Sequence, residues 1–322
     1  MSHFDVFNGD ADGICALHQL RLAQPRPGAR LVTGLKRDIA LLRRVPATAG
    51  DSVTVMDVSL ERNREALLEL LARGAQVEYF DHHNPGSLPR HPRLALHIDT
   101  AAQACTSALV DQHLGGAHRA WAVVGAFGDN MQDTAHALAA SLGLAPAQEA
   151  QLRELGEAIN YNAYGERITD PLLPPEALYE IVQRYADPFE LIAREPVARV
   201  LPQRLQADLA QAQGQAPWRH TDGGVLYLLP NEGWARRVLG SYAHALARAA
   251  PRQAHAVLRE DGHRGYVVSV RAPQAAPQGA DTLCRRFPTG GGRVAAAGID
   301  QLPEDRLEAF VQAFAEAFPP EP

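Results

Sequence analysis

Short apolar runs of strand-like composition alternate with segments of helical spacing from the start of the chain to about Ala140. This alternation is the pattern of βα units that feed a mostly parallel sheet. Within the segment 61–73, Ala66, Leu67, Leu70 and Leu71 recur at helical spacing. The predicted strands are 4–7, 31–33, 53–56 and 77–80, and the predicted helices are 14–22, 39–45 and 61–73.

A second α/β pattern occupies the last third of the chain, with predicted strands at 225–228, 255–258 and 266–270. An amphipathic helix follows, and we interpret its aromatic stripe as core. The fold class predicted is therefore α/β, with an N-terminal, mostly parallel sheet flanked by helices and a smaller C-terminal α/β domain. The predicted domains are 1–145, a helical extension and connector over 146–215, and 216–322.

Composition and charge narrow the functional classes. A chain of 322 residues with 46% hydrophobic residues can bury two cores, and its net charge of -6 argues against a broad basic face for long duplex nucleic acid. Cys15, Cys105 and Cys284 form no CxxC pair, so we expect buried, reduced thiols. The start of the chain has no signal-peptide pattern and no apolar run reaches membrane length, so a cytoplasmic protein without a membrane partner is expected.

Acidic and histidine residues follow apolar runs at four places. Ligands of open α/β sheets bind outside the carboxyl ends of the strands, so these places can meet in one site. Carboxylates with one or two imidazoles suit Mn²⁺ or Mg²⁺, and clustered carboxylates repel one another unless a cation neutralises them. The pattern predicts metal-assisted phosphoryl hydrolysis. The residues are Asp10 and Asp12, Asp57, Asp81 with His82 and His83, and Asp129 after the run 121–127.

Each of these motifs also has a plainer structural explanation. Asp10 and Asp12 lie on a glycine-flanked loop, 8–13, that could be an Asx turn, and Asp57 could cap the following helix. The loop also matches the first six positions of an EF-hand, but position twelve is Gln19 and a strand precedes it, so we reject a calcium loop. Two adjacent histidines after Asp81 favour a metal and phosphate site over core packing.

The C-terminal part contains a candidate anion site. A predicted glycine loop, 290–293, ends in Arg293 and follows Arg285, so backbone and guanidinium groups could approach an anion. Arg271 ends a predicted strand and could join the same pocket. A solvated glycine loop is the open alternative.

With Asp10-x-Asp12-Gly13, Asp57, Asp81-His82-His83 and Asp129 in this order, the chain resembles the DHH phosphoesterases. Its later Ser269-Val270-Arg271 and Gly290 to Gly298 resemble the DHH-associated C-terminal domain. The resemblance implies one or two Mn²⁺ or Mg²⁺ ions between two domains. It implies that the metal ligands are Asp10, Asp12, Asp57, His82 and Asp129, with Asp57 bridging. It also implies that His83 contacts the scissile phosphate and that Asp81 orients the histidines. The substrate contacts that it implies are Arg271, Gly291, Gly292, Arg293 and Arg285.

Two departures from the family pattern bear on metal number and substrate. Val6 stands where many nanoRNases have a metal-binding histidine, with only Asn8 nearby as a weaker ligand, and Arg293 stands where the family usually has histidine. The expected activity is hydrolysis of short RNA, such as linear dinucleotides, to mononucleotides. Open alternatives are a 3′,5′-bisphosphate nucleotide phosphatase, a cyclic-dinucleotide phosphodiesterase, a RecJ-like exonuclease and a non-catalytic nucleotide sensor. A homodimer is also left open.

Overall fold

The computed structural model describes residues 1–167 and 169–320. Its first sheet has five strands, all parallel, in the spatial order second, first, third, fourth, fifth. The direction of winding changes between the first and third strands, which is where open α/β sheets bind ligands. The strands are β1 (His3–Asn8), β2 (Arg30–Gly34), β3 (Ser52–Met56), β4 (Gln76–Asp81) and β5 (Leu94–Ile98).

Alternate residues of the central strands face opposite sides of this sheet, as the period of two in a strand requires. Phe7, Met56 and Phe80 belong to one core cluster, and their neighbours Val6 and Val55 belong to another. Both faces are therefore covered, which explains why these strands appear in the sequence as nearly continuous apolar runs. The helices of this region are α1 (Ala11–Ala23), α2 (Leu60–Ala72), α3 (Thr106–His113), α4 (Arg119–Gly128), α5 (Gln132–Ser141), α6 (Pro146–Ala163), α7 (Pro175–Val182), α8 (Pro188–Arg194) and α9 (Val197–Gln213).

The chain divides into two compact units, 1–203 and 204–322. Helix α6 packs against α4 and α1, so this part of the predicted connector belongs by its contacts to the first unit. The three-part domain division over 1–145, 146–215 and 216–322 stays a prediction.

Over its described residues 204–320, the second unit contains a six-stranded mixed sheet, the C-terminal part of α9 and three further α-helices. Its strands run in the spatial order tenth, eleventh, ninth, eighth, seventh, sixth, and only the seventh and eighth are parallel. The elements are β6 (Arg219–Thr221), β7 (Gly224–Leu229), α10 (Gly233–Ala249), β8 (Ala254–Glu260), β9 (Gly265–Arg271), α11 (Ala280–Cys284), β10 (Gly290–Arg293), β11 (Ala296–Pro303) and α12 (Leu307–Ala317).

The predicted α/β class is confirmed, and three local predictions need correction. The glycine loop at 290–293 is the edge strand β10, because its backbone pairs with β11. The helix expected from 14 begins at Ala11, so the loop before it is shorter than predicted. The helix expected at 39–45 is one turn of 3₁₀ helix, Leu41–Arg44. The apolar run 121–127 before Asp129, for which no element was predicted, lies within the helix α4.

Other expectations from the sequence can be checked directly. Cys15, Cys105 and Cys284 are buried and free, as predicted. Over residues 1–167 and 169–320, no helix combines the length and apolar character needed to cross a membrane.

Candidate metal centre

The carboxyl ends of β1, β3 and β4 lie side by side at one edge of the first sheet. Their register pairs Phe7 with Met56 and Met56 with Phe80. The acidic and histidine residues that follow these strands therefore leave the sheet at the same level. Asp129 reaches them from the C-terminal end of α4, which packs against α1. The structure thus brings together the four patches that the sequence singled out.

Asp10 and Asp12 are held by the N-terminal turns of two helices. Asp10 is the N-cap of α1 and accepts a hydrogen bond of 3.1 Å from the backbone N–H of Gly13. The two oxygens of Asp12 accept bonds of 2.7 Å each from the backbone N–H groups of Thr106 and Ser107, where α3 begins. Asp12 is fully buried, and these amides fix its carboxylate plane.

Asp57 takes a backbone conformation that is rare for a residue with a side chain. Its φ is +58°, in the left-handed region, and its carboxylate accepts a hydrogen bond of 3.2 Å from the hydroxyl of Thr106. Such conformations cost free energy and cluster at functional sites. Here the conformation directs a 2%-exposed carboxylate toward the other acidic groups.

His82 lies at the centre of the cluster. Its Nε2 is 3.3 Å from Oδ1 of Asp57, 3.7 Å from Oδ2 of Asp129 and 3.9 Å from Oδ2 of Asp12. Burial alone would lower the pKa of His82, but the hydrogen bond to Asp57 and the surrounding carboxylates outweigh it and raise the pKa to about 10. Without a metal ion, His82 is therefore a cation that neutralises part of this site.

His83 faces outward, with 43% of its side chain exposed. Its Nδ1 lies 2.6 Å from Oδ1 of Asp81, and its backbone N–H also donates to that oxygen. Asp81 is fully buried and accepts a further bond from the backbone N–H of Leu60 at the start of α2. Asp81 thus fixes the orientation of the His83 ring and leaves Nε2 of His83 directed away from the Asp81 carboxylate.

Lys36, just beyond β2, is a member of the cluster that the sequence reasoning missed. Its Nζ donates to Oδ2 of Asp10 at 2.7 Å and to Oδ1 of Asn160 at 3.1 Å, and it lies 3.4 Å from Oδ1 of Asp129. Burial alone would lower the pKa of Lys36, but the charges of Asp10, Tyr164 and Asp129 raise it well above the usual value. Lys36 could have been predicted from its position after the carboxyl end of a fourth strand, since ligands of open α/β sheets bind at such ends.

The carboxylates respond differently to this environment. Burial and the charges of Asp10 and Asp12 raise the pKa of Asp57 well above its usual value. Burial likewise raises the pKa of Asp12. The pKa of Asp10 is lowered, because the Lys36 ammonium outweighs the effect of burial. Ionisation of Asp57 and Asp12 is therefore disfavoured in this site, and a cation beside them would stabilise their carboxylate forms.

The residues present fit a hard divalent cation. Two sets have donor atoms within 4.8 Å of one another: Asp57, His82 and His83, and Asp12, His82 and Asp129. Carboxylate oxygens with imidazole nitrogen are donors suited to Mn²⁺. Asn8 adds a further sign, because its buried Oδ1 has no hydrogen-bond partner.

A cavity of about 310 Å³ adjoins the cluster within the first unit. Asn8, Lys36, Asp57, Arg62 and His83 are among the residues that line it. The cavity therefore presents both the exposed histidine and two cationic side chains to a ligand. Val6 faces the opposite side of the sheet, where it is fully buried in the core.

The predicted substrate-binding residues lie in the second unit. Arg293 pairs with Ala296, which pairs with Arg271, so the two arginines share one level and one face of three adjacent strands. Gly291 pairs with Gly298 in the same hairpin, and Gly292 has a φ of +144°. Arg285 follows α11 and pairs with Asp281 at 3.8 Å. Helix α11 packs with Val268 and Val270, which alternate with Arg271 along β9 and face the other side of the sheet.

Comparison with known proteins identifies the fold. No protein-family model matches the chain, and no curated protein sequence matches it. Solved structures do match it over 98% of its length. One is the DHH domain of a member of a family of ribosomal proteins, with 14% identity, a TM-score of 0.64 and 86% of that chain covered.

Two similar structures are enzymes by their names. Exonuclease RecJ bound to manganese has 19% identity and a TM-score of 0.62, with 90% of its chain covered. The pGpG-specific phosphodiesterase PggH from Vibrio cholerae has 14% identity and a TM-score of 0.57, with 98% of its chain covered. At these identities the likeness establishes a shared fold.

Proposed function

We propose that this chain, which has the fold of DHH-domain proteins, is a metal-dependent phosphoesterase. The observation that carries the proposal is the convergence of Asp12, Asp57, His82 and Asp129 around one point, with His83 exposed beside it. A site built only of caps and turns would not need three carboxylates around one imidazole nitrogen.

Asp12, Asp57, His82 and Asp129 would hold Mn²⁺ or Mg²⁺. When bound, such an ion polarises a phosphoryl oxygen and makes water a better nucleophile at neutral pH. The amides of Thr106 and Ser107 and the hydroxyl of Thr106 hold the Asp12 and Asp57 oxygens in place. Preorganised ligands lower the cost of binding the ion, because few side chains need to be ordered at that moment.

His83 would act on the phosphoester itself. With Nδ1 turned to Asp81, its Nε2 is available to donate a hydrogen bond to a phosphoryl oxygen or a proton to the departing 3′ oxygen. The carboxylate of Asp81 fixes the orientation of the ring. This division of work matches the exposures, since His83 is partly open to solvent and Asp81 is fully buried.

The preferred substrates would be short linear oligonucleotides, above all dinucleotides, cut to mononucleotides. The cavity beside His83 is small, at about 310 Å³, and the net charge of -6 does not favour a long polyanion. A pGpG-specific enzyme with the same fold supports this choice. Arg271 and Arg293 of the second unit would bind a terminal phosphate.

A RecJ-like exonuclease on single strands is the second candidate. It is favoured by the RecJ structure, which matches 98% of this chain at a TM-score of 0.62. The two candidates differ in substrate length, because an exonuclease processes long strands and a dinucleotide-clearing enzyme does not.

A chromatographic assay of the purified protein with Mn²⁺ tests the proposal. The substrates are 5′-phosphorylated RNAs of two to about a dozen nucleotides, with a cyclic dinucleotide and a 3′,5′-bisphosphate nucleotide alongside. We expect rapid loss of the dinucleotide, and a fall of about 10²-fold or more in His83→Gln, within the range of general acid catalysis. The matched control is His220→Gln, an exposed histidine on β6.

Digestion of RNAs of all lengths at equal rates would favour the RecJ-like exonuclease over the dinucleotide-clearing enzyme. Turnover of the cyclic dinucleotide alone, or of the bisphosphate nucleotide alone, would show that this compound is the substrate and that linear dinucleotides are not. Absence of turnover with Mn²⁺ bound would contradict a phosphoesterase and support a nucleotide sensor.

A further inference from the structure

Lys36 is the single lysine of the chain. The sequence has 31 basic residues, and the other 30 are arginines. Its ammonium group lies against the acidic cluster, with Nζ 2.7 Å from Oδ2 of Asp10. All the remaining members of this set are arginines, so the only compact, point-like ammonium among these side chains is at this site.

We propose that the Lys36 ammonium takes the place of one metal ion, so that the centre binds a single divalent cation on the His82 side. This inference rests on the proposed metal centre and specifies its composition. Lys36 is a positioning residue here, since it acts through the Asp10 and Asp129 carboxylates.

The surroundings of Nζ match the needs of an ammonium group. Its three acceptors are oxygens of Asp10, Asn160 and Asp129, at 2.7, 3.1 and 3.4 Å. An ammonium has three donors and no acceptor, so these contacts use its full capacity. The ring of Tyr164 lies 5.6 Å from Nζ and adds a cation–π contact.

The loop that carries Lys36 is fixed at its backbone. The N–H of Lys36 donates to the carbonyl of Ala163 at the end of α6, at 3.0 Å. The preceding N–H, of Leu35, donates to the carboxylate of Asp38 at 3.0 Å. Asn160 is on the last turns of α6, so one helix holds both the main chain and the ammonium of Lys36. The ammonium is thus built into the site.

The remaining donors point to one ion. Among residues 1–167 and 169–320, both sets of donors close enough for a metal include His82, and neither includes Asp10. Because both sets share one imidazole, they describe a single region. A second divalent ion on Asp10 would have to displace Nζ or lie next to its positive charge.

Counting bound Mn²⁺ on the full chain tests this inference. The measurement is metal analysis of protein equilibrated with saturating Mn²⁺, for wild type, Lys36→Met and the control Arg37→Met. Arg37 is on the same loop but pairs with Glu166 at 2.7 Å. We expect one ion per chain in wild type and in Arg37→Met, and two in Lys36→Met, because methionine keeps the length and removes the charge. Two ions in wild type, or one in Lys36→Met, would overturn the inference.

A second measurement does not depend on the variant folding. Labelling the chain with ¹³Cε-lysine, without lysine in any tag, gives one lysine methylene signal. We expect this signal to stay away from the free-lysine position when Mg²⁺ is added to saturation, because Nζ remains between Asp10 and Asn160. A shift to the free-lysine position would mean that metal displaces the ammonium, and would contradict the inference.

These experiments can contradict the inference of a single metal ion and the proposed phosphoesterase function independently of each other. Two ions with dinucleotide turnover would remove the inference and keep the proposed function. One ion without phosphoester turnover would keep the inference and remove the function.

Discussion

Individual residues in the first unit balance a concentrated negative charge in two ways. Lys36 is a permanent cation that lowers the pKa of Asp10, and His82 is a titratable one whose pKa is raised to about 10. The first contact survives at any ordinary pH, whereas the second depends on the protonation of the imidazole. A divalent ion would compete with the proton of His82, because a metal-bound imidazole is neutral.

The pH dependence of stability in the metal-free protein follows from His82. Its folded pKa of about 10 is above the ordinary 6.5, so its protonated form stabilises the fold fully below about pH 6.5. This contribution is lost as the pH rises toward 10. Since a tenfold change in proton affinity is worth about 1.4 kcal/mol, the contribution is on the order of a few kcal/mol.

Chemical denaturation with a chelator present, at several values of pH from 6.5 to 10, measures this effect. The difference in unfolding free energy between wild type and His82→Gln should shrink as the pH rises, and His220→Gln should match wild type throughout. A difference that is constant or grows with pH would show that His82 is not held protonated by its neighbours.

The sequence predicted the acidic and histidine members of the cluster but missed Lys36 and Asn160. The first group follows strands in ordered motifs, and their spacing can be interpreted locally. Lys36 and Asn160 are 124 positions apart, and each is ordinary in its own segment. Only the packing of α6 near β2 brings them together, and no local pattern shows that packing.

Helices and strands place these residues through close backbone contacts. A methyl group on Gly128 of α4 would lie 2.3 Å from Cβ of Ala11 in α1 and 2.8 Å from the carbonyl oxygen of Gly156 in α6. These three helices carry Asp129, Asp12 and Asn160 respectively. The glycine is therefore the point at which three elements of the site approach one another.

Gly128→Ala should destabilise the protein by about 1–3 kcal/mol, the usual cost of overpacking. The control is Gly214→Ala, where the nearest atom would be 3.5 Å away and the expected change is within about 0.5 kcal/mol. Denaturant unfolding measures both. Equal stability of the two variants would show that the contact between α1, α4 and α6 adjusts at little cost.

Elements with regular apolar runs were predicted well, and short or atypical ones were not. β1, β3 and β4 are buried on both faces, so their composition shows them clearly. β5 was missed because its residues are only partly buried and alternate weakly. β10 was missed because a run of glycines indicates a loop, and only its pairing with β11 makes it a strand.

The residues proposed to bind metal and those proposed to bind substrate lie in different compact units of the molecule. The first contains the acidic cluster, and the second contains Arg271 and Arg293 on one face of its sheet. The α/β class of both units was predictable from alternating patterns. The extent of the first unit was not, because the helices after residue 145 have no motif and their contacts alone assign them.

Arg293→Ala should weaken dinucleotide binding, seen as a rise in KM of about tenfold, while Mn²⁺ affinity stays unchanged. The reason is that a guanidinium binds a terminal phosphate through charge-assisted hydrogen bonds and is not a metal ligand. Arg286→Ala is the matched control, since Arg286 is exposed and pairs with Glu316. Equal losses of substrate and metal affinity would contradict the role assigned to Arg293.

Hydrolysis of a 5′-phosphorylated dinucleotide by chelator-treated protein tests directly whether this chain is a metal-dependent phosphoesterase. Wild type, Asp57→Asn and the exposed control Asp222→Asn are compared as Mn²⁺ is added back. We expect turnover to be absent without metal, to return with Mn²⁺ in wild type and Asp222→Asn, and to fall by at least about 10²-fold in Asp57→Asn. Turnover that persists without metal, or that survives in Asp57→Asn, would contradict a metal-dependent phosphoesterase centred on this cluster.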